Sequence, residues 1–98
     1  MENLKPLSDF FAAIEKDFRI STTHIAIYAA LLQLRIGKGF INPVEVFSRD
    51  IVSIAKISST YTYIKCVQDL NDYGYINYVR SFKKTQASKI YFVDLQGS

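Results

Sequence analysis

Along this chain the period of the apolar positions changes from helical to strand-like, and each change coincides with a capping or stop residue. Leu7, Phe10, Phe11, Ile14 and Phe18 recur at i, i+3, i+4, i+7 and i+11, which predicts a helix over residues 8–19 with these side chains on one stripe. Ser8 is the expected cap, with Pro6 just ahead of it. A second helix is expected from residue 22 to Ile36, capped by Ser21, Thr22 or Thr23 and stopped at Gly37. Its interior, Ile25 to Leu34, is apolar almost all round, so it must be buried on several sides.

The stretch 37–43 is rich in Gly and ends in Pro, as a connection does, and residues 44–47 suit a short strand. Ser48 is then expected to cap a brief helix with Ile51, Ile54 and Ala55 on its inner face. Lys56 and Ile57 form the turn, and Ser58 or Ser59 caps a long amphipathic helix that ends at Tyr73, before Gly74. Two β-rich runs follow, 75–82 and 89–93, joined by a polar segment. The expected class is α+β, mainly helical, in the order helix, helix, short strand, helix, helix, hairpin. One domain of 98 residues accommodates it: an N-terminal helix in 1–20, the main unit in 21–94 and a short tail in 95–98.

Charge sharpens the picture. Residues 1–47 hold five basic and five acidic side chains and residues 48–73 hold three of each, whereas residues 74–93 hold Arg80, Lys83, Lys84 and Lys89 with no acid. The net charge of +3 is therefore a property of the expected hairpin, where a polyanion would meet it.

This order resembles the winged helix-turn-helix superfamily over roughly residues 22–94. The residues that carry the likeness are the capped turn at Ser58, the close from Leu70 through Gly74 and Tyr75 to Ile76, and the hairpin after it. A Leu-x-x-x-Gly-aromatic-aliphatic ending recurs in winged-helix regulators. The run from Thr62 to Ile76 is also similar, more loosely, to small bacterial winged-helix proteins found near mobile elements. The resemblance implies a DNA-binding protein whose helix over 59–73 enters the major groove and whose wing, residues 80–89, meets phosphates.

On a helical wheel Tyr63, Cys66, Val67 and Leu70 form the core stripe of that helix. The opposite face offers Ser59, Tyr61, Thr62, Lys65 and Gln68 in its N-terminal half, with Asp69 and Asp72 a turn or more later. Those five side chains can hydrogen-bond base edges or phosphates. Solvated helix faces are also composed of Ser, Thr and Lys, and exposed Tyr61 favours a partner. Arg80, Lys83, Lys84 and Lys89 suit phosphates, although charges on a hairpin also protect its edge from aggregation. Arg49 and Lys56 are weaker phosphate candidates. A homodimer through helices 8–19 and 22–36 would double the contacts, its seam drawn from Phe10, Phe11, Phe18, Tyr28, Leu31 and Leu32, which equally suit a core.

Catalysis, cofactors and metals are not expected. His24, the only histidine, has no Cys or His at metal-ligand spacing and no obvious carboxylate partner, so a capping or surface role is expected of it. Cys66 on the edge of a core stripe is expected to be an inert thiol. One cysteine, no basic-then-apolar leader and no apolar run near membrane-spanning length suggest a soluble cytoplasmic protein. The readings left open are a transcriptional regulator, a winged-helix module that docks an acidic protein, and an accessory DNA-binding factor in mobile-element replication or excision.

Overall fold

Helix α1 runs Lys5–Ile14, α2 Thr22–Gly37, α3 Ser48–Ala55 and α4 Thr60–Asp72, with strands β1 Val44–Val46, β2 Ile76–Val79 and β3 Ser88–Phe92. The computed structural model describes residues 4–83 and 85–95. The three strands form one antiparallel sheet in the order β1-β3-β2, so the described residues form an α+β domain of four helices and three strands. Val44 faces Ile90, and Ile90 in turn faces Tyr78, which centres the sheet on β3. No helix among the described residues is long and apolar enough to cross a membrane.

The core is where helical and strand periodicities meet. Ile27 and Leu31 of α2, Ile51 of α3, Val67 and Leu70 of α4, and Val44, Ile76 and Ile90 of the sheet are all fully buried. Each such side chain stabilises the fold by about 1.5–3 kcal/mol relative to exposure. The nearly all-apolar α2 is accounted for within the chain, because α1, α3 and α4 all pack against it. Phe10 of α1 stacks on Tyr28 at 3.9 Å between ring centroids, and Tyr75 meets Phe10 edge-on at 5.5 Å.

Several local expectations need correction. The first helix starts and ends earlier than 8–19: Pro6 sits inside its first turn, where a missing N–H costs nothing, and Ser8 does not cap it. Its stripe is also only partly inward. Phe10 is buried, but Phe11 is exposed and Phe18 is 96% exposed. Asp17 accounts for Phe18, because its carboxylate accepts from the Arg19 guanidinium at 2.8 Å and from the Tyr75 hydroxyl at 2.6 Å, holding a turn in place of a further helical turn. In α3 the residue at the cap position is Phe47, not Ser48, and no side chain caps it. Ile54 lies on the outer side of α3, with Val52 packed against the core in its place. Strands β1 and β2 are also shorter than the apolar runs and β3 is shifted one residue toward the N-terminus, so Arg80, Ser81 and Phe82 belong to the connection, not to β2.

Candidate nucleic-acid interface

The sequence explains where α4 begins and ends. Ser59 is extended, and its hydroxyl accepts the Thr62 backbone N–H at 3.1 Å, satisfying one of the free donors of the first turn. Lys56 takes a left-handed conformation at φ 62°, which closes α3 and lets α4 start four residues later. Gly74 ends the element at φ 90°, a region that glycine enters without steric cost, and the Tyr75 N–H reaches back to the Leu70 carbonyl at 2.9 Å.

Tyr63, Cys66, Val67 and Leu70 are buried, as the helical wheel requires. On the other side Tyr61 is 76% exposed, and Lys65, Gln68 and Asp72 are exposed. Ser59 and Thr62 are less available than their composition suggests. Both are half-buried, and the Ser59 hydroxyl donates to Thr62 Oγ1 at 3.0 Å. The outward chemistry of α4 thus rests on Tyr61 and Lys65 in its N-terminal half, with Gln68 a turn later.

Asp69 departs from the expected picture. Its Oδ2 lies 2.9 Å from Nε2 of His24, a buried residue at the start of α2, so His24 does have a carboxylate partner. The capping role holds as well, since His24 Nδ1 accepts the Ser21 N–H at 2.9 Å and the Ser21 hydroxyl accepts the His24 N–H. Because Nδ1 accepts, the neutral ring carries its proton on Nε2 and donates it to Asp69. A carboxylate that would repel phosphates is thereby turned toward α2. Cys66 lies close by, and burial pushes its thiol above the ordinary range.

The β2–β3 connection holds its own shape through serines. The Ser81 N–H donates to Ser88 Oγ at 3.0 Å, the Lys83 N–H donates to Ser81 Oγ, and the Gln86 N–H donates to the Lys83 carbonyl. Arg80 and Lys83 are exposed, and Lys84 lies outside the described residues. Lys89 is set apart from them. It sits on the outward face of β3 directly across from Glu45, so folding brings an acid beside a segment that contains none in sequence. Phe82, read from sequence as a strand residue, is 88% exposed, with the Arg80 guanidinium 5.4 Å from its ring.

A cleft of about 330 Å³ separates α4 from this connection. Tyr63 and Ile64 of α4 form one wall, Arg80, Phe82 and Lys83 another, and Phe47 and Ser48 at the start of α3 a third. Tyr63 is also the one described residue whose buried side-chain polar atom, the hydroxyl, lacks a hydrogen-bond partner. Of the residues nominated from sequence, the fold brings Arg80 and Lys83 to the cleft beside α4 and leaves Lys89 on the sheet. Sequence reading missed Phe82, the His24–Asp69 contact and Glu45, and only Phe82, an aromatic next to a basic turn, left a local sign. Comparison with family models, curated proteins and solved structures finds no match to this chain.

Proposed function

We propose that the chain is a winged helix-turn-helix protein that binds double-stranded DNA, in the role of a transcriptional regulator. In this reading α3 and α4 are the helix-turn-helix, α4 lies in the major groove, and the β2–β3 connection is the wing. The observation that carries the reading is the cleft between α4 and the connection: Arg80 and Lys83 border it across from Tyr63 and Ile64 of α4, while Tyr61, Lys65 and Gln68 lie outside it on the outward side of the same helix. Duplex DNA presents dense negative charge, and cations at the rim of such a surface suit its backbone. Tyr61, Lys65 and Gln68 are the side chains free to meet base edges, while Arg80 and Lys83 meet phosphates. A homodimer is part of the proposal in reduced form. Phe10, Tyr28, Leu31 and Leu32 are buried within one chain, which leaves the exposed Phe11 and Phe18 for its apolar seam.

The test is fluorescence anisotropy with a random duplex at a series of salt concentrations. Log affinity falls as log salt rises, and Arg80→Ala/Lys83→Ala makes that slope shallower by roughly two. Absence of binding at low salt by a folded protein rejects the proposal. It would favour the second reading, a module that docks a protein, for which the exposed Phe82 speaks: an aromatic at a hairpin tip suits an apolar pocket better than a phosphate.

A further inference from the structure

We infer that His24, Cys66 and Asp69 form a binding site for one divalent transition-metal ion of the zinc class, bridging α2 and α4. The inference stands independently of DNA binding. One ligand atom from each residue (imidazole nitrogen, thiol sulfur, carboxylate oxygen) lies within 4.8 Å of the other two. A tetrahedral zinc ion separates such atoms by about 3.3–3.6 Å, so the thiol need swing inward by only about 1 Å. The imidazole and carboxylate are already together at 2.9 Å and need open only slightly.

The placement follows from sequence spacing and from packing. Cys66 and Asp69 are three residues apart on α4, hence on one side of it a turn apart. His24 occupies the first turn of α2, where Ser21 fixes its ring. A tether between two helices needs only the His24–Asp69 hydrogen bond. The third donor, a thiol, is what makes the cluster a coordination set. Nitrogen, sulfur and oxygen together suit zinc or cobalt and not magnesium or calcium, which take oxygen ligands.

Burial agrees with a three-ligand site that has one open flank. His24 and Cys66 are 6% and 8% exposed, while the Asp69 side chain is 24% exposed, so an ion and a water as fourth ligand would enter from the Asp69 flank. The charges balance, since one thiolate and one carboxylate neutralise a divalent ion, which makes its partial burial tolerable.

The protons balance as well. Without metal the thiol holds its proton and His24 holds one on Nε2. The ion takes the Nε2 lone pair, and the ring proton moves to Nδ1, where the Ser21 hydroxyl at 2.8 Å accepts it. The Ser21 N–H thereby loses the imidazole nitrogen as its acceptor, and a small shift of the ring toward the Ser21 hydroxyl separates the two N–H groups. The thiol proton leaves to solvent, so one proton is released per ion, and no group is oxidised or reduced.

The experiment is a titration of the chelator-washed full chain with cobalt(II) under a non-thiol reductant. The expected result is saturation at one ion per chain, with a near-ultraviolet thiolate-to-cobalt band, the strong visible bands of tetrahedral cobalt, release of one proton and displacement by zinc(II). Cys66→Ser removes the thiolate band, and Asp69→Asn weakens binding roughly tenfold or more. Zinc raises the melting temperature of the wild type and not that of Cys66→Ser, whose melting without metal verifies its fold. No thiolate band with cobalt in excess, a band that persists in Cys66→Ser, or saturation at one ion per two chains overturns the inference.

Discussion

At its C-terminal end α4 is held from three directions. Asp69 meets His24 of α2, Asn71 Oδ1 accepts the Tyr78 N–H of β2, and Arg19 lies over the ring of Tyr73 at 3.9 Å. At its N-terminal end the outward side chains Tyr61 and Lys65 make no such ties among the described residues, and the side-chain hydrogen bonds there are local to Ser59 and Thr62. One helix therefore combines an anchored half with a half whose polar groups face solvent. The difference teaches that position along α4 matters as much as the side of α4. Substitutions in the anchored half act on folding, and substitutions at the outward N-terminal positions act on whatever α4 binds.

The largest expected effect tests the anchored half. Leu70 is fully buried, and Leu70→Ala removes its contacts and leaves a cavity, costing about 2–5 kcal/mol in denaturant unfolding. A cost near zero would mean that this end of α4 does not hold the core.

The next effect depends on pH. Arg19 and, after it, the Tyr75 hydroxyl hold the Asp17 carboxyl well below its ordinary value of 3.8. A lowered folded-state value means that its contribution to stability is complete above the ordinary value and is lost as pH falls toward the folded one. Thermal melts of the wild type should fall more steeply below about pH 4 than those of Asp17→Asn. The partner titrates at the other extreme. Tyr75 is pushed up to about 12, first by burial and then by Asp17. Its contribution is complete below pH 10 and is lost as pH rises toward 12. Parallel melting curves for Asp17→Asn and wild type at acid pH would show that the turn before α2 is not fastened to the end of α4.

The smallest effect on stability belongs to the free half. Lys65→Ala should change unfolding by less than about 0.5 kcal/mol while weakening specific duplexes more than random ones. A loss of stability comparable with that of Leu70→Ala would erase the distinction between the two halves.

What was legible in the sequence follows the same division. The α4 stripe, the stop at Gly74, the start of α2 at Ser21 and the hairpin all arise from short-range rules of periodicity, capping and backbone freedom. The early end of α1 does not, because it depends on Asp17 meeting Tyr75, which is 58 residues away. The His24–Asp69 contact spans 45 residues, and the pairing of Lys89 with Glu45 exists only once β1 lies beside β3. At the candidate interface, residue types were readable one by one. Their availability was not, because Ser59 and Thr62 satisfy each other and Lys89 is carried away from the cleft.

The strand order has a bearing on how the chain is made. Both outer strands hydrogen-bond only to the last one, so β1 leaves the ribosome more than forty residues before any neighbour for its ladder exists. A nascent chain interrupted ahead of Ser88 would therefore hold its helices but no sheet at all.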